Sequence, residues 1–97
     1  MRVYIAGKIT DCEEAKQRFE AAAAWLQNQG CDVISPYSIG TILPVLEHED
    51  YMHISFALID VADAVYFLGN WRESCGASQE MGYAIAKGKK LYFEVSE

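Results

Sequence analysis

Glu80 is the residue whose type and position most need a chemical explanation. It lies in the stretch SCGASQEMGYAIAKGK, residues 74–89, whose apolar spacing predicts a helix packed on a core through Ala77, Met81, Ala84 and Ile85. No Lys or Arg lies three or four residues from Glu80, so the helix offers it no ion-pair partner. Such a carboxylate either stabilises the positive end of the helix dipole or belongs to a site.

Other polar residues lie where the same site would be, and each has a structural explanation of its own. Tyr4 interrupts an apolar strand pattern and can be a core tyrosine with a satisfied hydroxyl. Gly7 can be a turn glycine, and Ser74 can be a helix cap. Asp60 and Asp63 can be the polar ends of a helix and a strand. The sequence leaves both explanations open for each residue.

Strand and helix patterns alternate along the chain. Four β-rich runs cover MRVYIA, CDVIS, AVYFLG and KLYFEV, at residues 1–6, 31–35, 64–69 and 90–95. A first helix is predicted to run to about Gln29, with a capping box at Thr10 and Glu13 or with Asp11 as the cap. A second helix is predicted at about residues 50–61 and a third at 74–88, after a long loop at 36–50.

This alternation predicts a three-layer, flavodoxin-like α/β domain with a four-stranded parallel sheet in the order 2-1-3-4. Ligands bind beyond the carboxyl ends of the strands where the strand order reverses, here between the first and third strands. The loops GKIT (7–10) and GNWRESCGAS (69–78) meet at this point. The second loop runs into a helix N-terminus, whose free N–H groups suit an anion such as phosphate.

Composition narrows the range of partners. The 97 residues predict one domain, residues 1–97, for which oligomer formation would reduce a large exposed surface. A net charge of −6 with scattered basic residues argues against nucleic acid, and no apolar run is long enough for a membrane span. Three cysteines without a close pair predict reduced thiols and a cytoplasmic protein. The spacing of His48 and His53 does not suit a metal site, and we expect no metal and no cofactor.

The chain resembles the nucleoside 2-deoxyribosyltransferase superfamily, most closely its short DUF4406 branch, over nearly its whole length. The matching motifs are VYIAG at residues 3–7, an Ala-Asp pair opening the third strand, and a Ser-x-Gly-x-x-x-Glu motif that continues as Glu-x-Gly-x-Ala-x-x-x-Gly-Lys. These motifs fall on Ala62, Asp63, Ser74, Gly76, Glu80, Gly82, Ala84, Gly88 and Lys89. Each motif is weak alone, and their order and spacing together indicate the superfamily.

The resemblance implies roles for these positions. Glu80 would be the nucleophile, with Tyr4 as its hydrogen-bonding partner and Asp63 as a further catalytic residue. The sugar and a 5′-phosphate would contact a set made of Gly7, Lys8, Ile9, Thr10, Ser55, Ser74 and Gly76. Trp71, Tyr37 or the long loop would recognise the base, although Trp71 suits a subunit interface equally well. A neighbouring subunit usually completes sites of this family, so a dimer or a larger homo-oligomer is expected.

One departure from the family concerns Ser55. The superfamily commonly has an aspartate at this point of the second predicted helix, in a D-L-x-x-L-x-x-A-D pattern that reads SFALIDVAD here. A serine can hydrogen-bond a sugar hydroxyl, but it cannot act as a carboxylate acid or base. His53 or Asp60 are the candidates to compensate.

Three functions follow from these observations. The first is cleavage of the N-glycosidic bond of a nucleoside or nucleoside monophosphate, by hydrolysis or by deoxyribosyl transfer. The second is a nucleotide-binding module without catalysis, in which Ser55 marks lost chemistry. The third is a small structural oligomer with a vestigial crevice, which the joint presence of Tyr4, Ser74, Gly76 and Glu80 disfavours.

Overall fold

Four parallel strands form one sheet in the order β2-β1-β3-β4 in the computed structural model of the chain. The structure describes residues 1–95, apart from the side chains at 40 and 41. The strands are β1 (Arg2–Ala6), β2 (Asp32–Ile34), β3 (Ala64–Phe67) and β4 (Lys90–Phe93). The predicted fold class, strand order and parallel direction are confirmed.

The helices are α1 (Ala15–Asn28), α2 (Ile39–Ile42), α3 (His48–Val61) and α4 (Cys75–Ala86), and a 3₁₀ turn covers Trp71–Glu73. The predicted long loop therefore contains the short α2 and the first turn of α3. Gly30 and Gly88, which end the first and third predicted helices, have φ angles of 84° and 68°. This left-handed backbone is accessible to glycine at little cost, so both residues stop their helices as predicted.

Two apolar cores cover the two faces of the sheet and make the fold three-layered. On one face α1 packs Phe19 and Leu26 against the side chains of Val3 and Ile5. On the other face Ile59 of α3 and small residues of α4 pack against alternate residues of β1 and β3. All four residues of β3 are buried, as expected for a strand covered on both faces.

The start of α1 differs from the prediction. The helix begins at Ala15, and Asp11 has a left-handed φ angle of 55°, which a helix starting at Thr10 could not contain. The predicted capping box is therefore wrong. A capping box is present instead at α3, where the Glu47 N–H donates to the Asp50 carboxylate at 3.0 Å.

The buried face of α4 is rotated relative to its predicted apolar stripe. Ala77, Glu80 and Ala84 are buried, whereas Ile85 is 60% exposed. The packing of α4 on β1 and β3 leaves room mainly for small side chains, and it brings the carboxylate of Glu80 inside the protein. Glu80, which is not one of the residues of the predicted apolar stripe, thus lies on the buried face of α4.

No helix among residues 1–95 combines the length and the apolar character that crossing a bilayer requires.

Candidate active site

A cleft of about 570 Å³ opens at the carboxyl ends of β1 and β3, between the loops that follow these strands and the helices α3 and α4. This volume lies within the range of small-molecule sites, roughly 300–1,000 Å³. Nine of the ten predicted site residues line the cleft: Tyr4, Gly7, Lys8, Ile9, Thr10, Ser55, Ser74, Gly76 and Glu80.

Glu80 lies at the floor of this cleft and is only 6% exposed. Its position on α4, one turn after Ala77, aims the side chain at the centre of β1. There the Tyr4 hydroxyl, fully buried, donates a hydrogen bond to Oε2 of Glu80. This hydrogen bond holds Oε2 of the Glu80 carboxylate in place.

Burial changes the acidity of both partners. Desolvation raises the pKa of Glu80 from 4.5 to about 7, and hydrogen bonding to Tyr4 and Ser55 opposes this rise. The pKa of Tyr4 is raised well above its usual value, first by burial and then by the charge of Glu80, so the hydroxyl remains a donor. A carboxyl group with a pKa near neutrality in a cleft is typical of functional sites.

The face of α3 toward the cleft carries two polar residues, Ser55 near Glu80 and His48 near the start of α4. His48, Met52 and Ser55 are spaced four and three residues apart, which places them on one side of the helix. Ser55 is buried beside the Tyr4–Glu80 pair, where it lowers the pKa of both residues. His48 stands over the first turn of α4, close to Gly76. The spacing of His48 from Met52 and Ser55 is the sequence signal that could have placed it on the same face of the helix.

The two loops of the cleft approach each other closely at Gly7. A Cβ atom at this position would lie 2.6 Å from Cδ1 of the buried Leu68, too close for any other residue without movement. The Leu68 N–H also donates to the Ala6 carbonyl at 2.8 Å. The glycine at the end of β1 is therefore required for the close contact of the two loops.

Asn70 is a cleft-supporting residue that the sequence analysis missed. Together with Ser55 and Glu80 it makes up the buried polar residues of the described chain. Its Oδ1 accepts the Lys8 N–H at 3.1 Å, and its Nδ2 contacts Sγ of Cys12 at 3.8 Å. Asn70 thus ties the loop after β3 to the loop after β1, a long-range contact with no signal in local sequence.

Replacing Asn70 with Ala is expected to lower the free energy of unfolding by about 1–3 kcal/mol, because the Lys8 N–H loses its acceptor in a half-buried position. Urea unfolding measures the loss, and hydrogen exchange at the Lys8 amide should become faster. Asn28→Ala, an exposed substitution at the end of α1, is the matched control. Equal stability and exchange in the two variants would contradict the bridging role.

The start of α4 supplies hydrogen-bond donors to the cleft. Oγ of Ser74 accepts the Ala77 N–H at 3.1 Å, so Ser74 is the helix N-cap. The N–H groups of Cys75 and Gly76, at the first two positions of the helix, lie beyond the reach of intrahelical acceptors. Lys8 is the one basic side chain among the described lysines and arginines that lines the cleft, and Asp11 and Glu73 are acids at the same cleft.

The structure places Asp63 away from the cleft, so the expected catalytic role of this residue is corrected. Asp63 precedes β3, at the amino ends of the strands, and its carboxylate accepts the Arg2 N–H at 2.8 Å. The four residues of β3 span roughly 13 Å between this edge and the cleft. Asp63 therefore links the starts of β1 and β3.

The aromatic candidates for base recognition separate in the structure. Tyr37 lines the cleft, with its ring 5.9 Å from that of Phe19. Trp71 lies outside the cleft lining and packs instead on Phe67 and Phe93, with ring centroids at 5.5 and 6.3 Å. Tyr37 remains the aromatic candidate for contact with a base.

Neither candidate to compensate for Ser55 reaches the cleft. His53 is exposed on α3, and Asp60 accepts a hydrogen bond from the Tyr83 hydroxyl at 2.6 Å on the outside of the helical layer. Within residues 1–95, His, Cys, Asp and Glu side chains form no cluster of three or more that could hold a metal ion.

Comparison with known families adds to this geometry. A family model described as a domain of unknown function, DUF4406, matches residues 1–93. The chain belongs to the DUF4406 family. This confirms the branch that the sequence motifs indicated. Comparison with curated proteins finds no match.

Solved structures with the fold of this DUF4406 domain include three enzymes. A CMP N-glycosidase of Clostridium botulinum is 24% identical, with a TM-score of 0.70 over 96% of this chain and 70% of the other. A 2-deoxyribosyltransferase of Leishmania mexicana is 20% identical, with a TM-score of 0.73 over 99% of this chain and 65% of the other. A 2-deoxyribosyltransferase of Bacillus psychrosaccharolyticus is 21% identical, with a TM-score of 0.74 over 100% and 77%. These likenesses establish the fold of the DUF4406 domain.

Proposed function

We propose that this DUF4406 chain is a single nucleoside 2-deoxyribosyltransferase-like domain that cleaves the N-glycosidic bond of a nucleoside or nucleoside 5′-monophosphate. The observation that carries the proposal is the buried carboxylate of Glu80 at the floor of the cleft, hydrogen-bonded by Tyr4. Fold neighbours that include a CMP N-glycosidase and two deoxyribosyltransferases support the same class of reaction.

In the proposed reaction, Glu80 acts as the nucleophile. Its Oε1 attacks the anomeric carbon, the bond from that carbon to the base nitrogen breaks, and a glycosyl ester forms on the protein. The base leaves with the bonding electron pair and takes up a proton. In a hydrolase, water then attacks the anomeric carbon and releases the Glu80 carboxylate. In a transferase, a second base makes this attack. Tyr4 holds Oε2, which orients the carboxylate toward the sugar.

A phosphate on the substrate would bind near Lys8 and the first turn of α4. The N–H groups of Cys75 and Gly76 suit an anion at the positive end of the helix. Lys8 supplies a positive charge in the same cleft. Asp11 and Glu73 oppose this attraction, so the preference for a nucleotide over a nucleoside depends on how closely the phosphate meets Lys8 and the helix.

A nucleotide-binding module without catalysis is the second candidate, and Ser55 is the observation that favours it. The residue faces the Tyr4–Glu80 pair where the superfamily commonly has an aspartate. Neither His53 nor Asp60 replaces this aspartate, because both residues are exposed and neither lines the cleft. Under this second function the cleft would retain nucleotides without breaking them.

The deciding experiment is incubation with a panel of nucleosides and their 5′-monophosphates, with binding measured by calorimetry and released base by chromatography. We expect base release, and about tenfold or more tighter binding of a monophosphate than of its nucleoside, since hydrogen bonds to charged groups contribute about 1.5–3 kcal/mol. Lys8→Gln should reduce this preference and leave nucleoside binding nearly unchanged.

Two results would change the proposal. Equal affinity for nucleoside and monophosphate would exclude the phosphate position near Lys8. Nucleotide binding without base release would favour the binding module, and Ser55→Asp would then be the variant in which to look for gained activity.

A further inference from the structure

The outer edge of β4 is an exposed surface that the cleft does not use. β4 is the last strand of the sheet, and among residues 1–95 no strand pairs with its free side. Tyr92 is 42% exposed and Phe93 49%. The opposite edge, formed by the three residues of β2, exposes Asp32 and half-buries the other two. Exposed aromatic side chains therefore mark β4 and not β2.

Aromatic residues flank this edge on both faces of the sheet. On the α1 side, Tyr92 is in register with Tyr66, whose ring stacks on the half-exposed Trp25 at 5.9 Å. On the other side, Phe93 stacks on Phe67 at 5.4 Å. A partner that extended the sheet past β4 would cover apolar surface on both faces, which suits a second sheet better than a single helix.

The backbone of β4 has free hydrogen-bonding groups along this edge. The Glu94 N–H donates inward to the Phe67 carbonyl at 2.8 Å. Because backbone direction alternates along a strand, the N–H and C=O groups of Lys90 and Tyr92 also point inward, and those of Leu91 and Phe93 point outward. These two residues are spaced to pair with another strand.

The sequence of the edge, KLYFE, is complementary to itself in the antiparallel direction. With a twofold axis through Tyr92, Leu91 lies opposite Phe93 of a second copy, and the outward backbone groups of this pair meet. On the other face, Lys90 lies opposite Glu94 of the second copy, a pair of opposite charges. Charge, apolar surface and backbone hydrogen bonding thus agree in one register.

Glu94 has a carboxylate oxygen available for an ion pair with Lys90 of the second copy. Its Oε1 accepts Arg18 at 2.9 Å and the Gly69 N–H at 2.8 Å. These contacts hold the side chain in place on the α1 face and leave Oε2 for a lysine. We propose that a second copy of this chain pairs antiparallel with β4 about Tyr92, which joins two sheets into one of eight strands.

Cross-linking tests the register directly. Residues facing each other in a non-hydrogen-bonded antiparallel pair have Cα atoms about 4.5 Å apart, within the range for a disulfide. Tyr92→Cys should therefore give a covalent dimer on mild oxidation, reversed by a reductant. Val95→Cys faces residue 89 of the second copy and should not cross-link across the axis. The wild-type chain, with Cys12, Cys31 and Cys75, controls for the native thiols under the same oxidant.

Sedimentation equilibrium tests the charge pair. The wild-type chain of 10.9 kDa should sediment at about twice this mass at sufficient concentration. Lys90→Glu places two like-charged pairs across the axis and should raise the dimer dissociation constant by on the order of tenfold. Lys87→Glu makes the same charge change outside β4 and should leave the constant unchanged.

The proposal depends on both results. A chain that stays monomeric at all concentrations would overturn it and leave the edge to a strand of a different protein. A dimer that Lys90→Glu does not weaken, and that Tyr92→Cys does not cross-link, would overturn it in favour of another face.

Discussion

Glu80→Gln is expected to reduce base release by on the order of a thousandfold or more, because an amide oxygen cannot replace the carboxylate as a nucleophile. The variant keeps the shape of the side chain and an oxygen that can accept from Tyr4. The fold should therefore be retained, which circular dichroism would check. The measurement is single-turnover base release from whichever nucleoside or nucleotide the wild-type protein cleaves.

Glu20→Gln is the control for this result, since Glu20 is exposed on α1 and outside the cleft. It should leave the rate unchanged. The rate of the wild-type protein should also rise with pH and level off above about 7, as the carboxyl group of Glu80 loses its proton. If Glu80→Gln releases base at the rate of the wild type, Glu80 is only a structural acid and the proposed mechanism is wrong.

The second large effect concerns the free energy of unfolding, because ionised Glu80 is expected to destabilise the fold at neutral and higher pH. Its pKa is 4.5 as an ordinary glutamate and about 7 in the fold, so the folded state binds the proton more tightly than the unfolded state. The stability contributed by Glu80 is therefore fully present below about pH 4.5 and is lost as the pH rises through about 7. Over this window the loss amounts to about 3 kcal/mol.

Glu80→Gln should remove this dependence, because the amide does not titrate. The free energy of unfolding, measured with urea between about pH 4.5 and 8, should fall more steeply for the wild type than for the variant. At the upper end the variant should be the more stable protein. Parallel curves for wild type and variant would show that burial does not raise the pKa of Glu80, and Glu20→Gln controls for the loss of one acid elsewhere.

Together the two predictions describe one residue with opposite effects on activity and stability. An acid buried only to stabilise a helix end would raise stability when ionised. Ionised Glu80 is instead destabilised by desolvation. Hydrogen bonds with Tyr4 and Ser55 offset part of this destabilisation but not all of it. A group kept in such a position is typical of active sites, where stability is given up for chemistry.

Much of the fold was determined by local sequence. Alternating strand and helix patterns gave the element order, and the right-handed crossover rule leaves few ways to arrange four parallel strands. The apolar run of β3 identified a strand covered on both faces, and Gly30 and Gly88 marked two helix ends. These features depend on residues near each other in the chain, so a single sequence is enough to read them.

Helix starts and side-chain directions were less predictable. The start of α1 depends on how the chain leaves the cleft after β1, and the capping residues at Thr10 and Glu13 did not decide it. The outward position of Ile85 and the inward position of Glu80 depend on the packing of α4 against the sheet. Apolar spacing alone tolerates a rotation of the helix by one position.

Some features of the candidate site could likewise be predicted from the sequence, and others depend on tertiary packing. The sequence by itself predicted that Gly7, Ser74 and Glu80 meet at the carboxyl ends of the strands, since parallel topology brings those ends together, and the family resemblance added Tyr4. Only the tertiary structure showed that Asn70 joins the two loops, because this contact links residues 62 positions apart in the chain. Tertiary structure also raises the pKa of Glu80, because desolvation depends on every element that packs around the carboxylate and not on its neighbours in the chain.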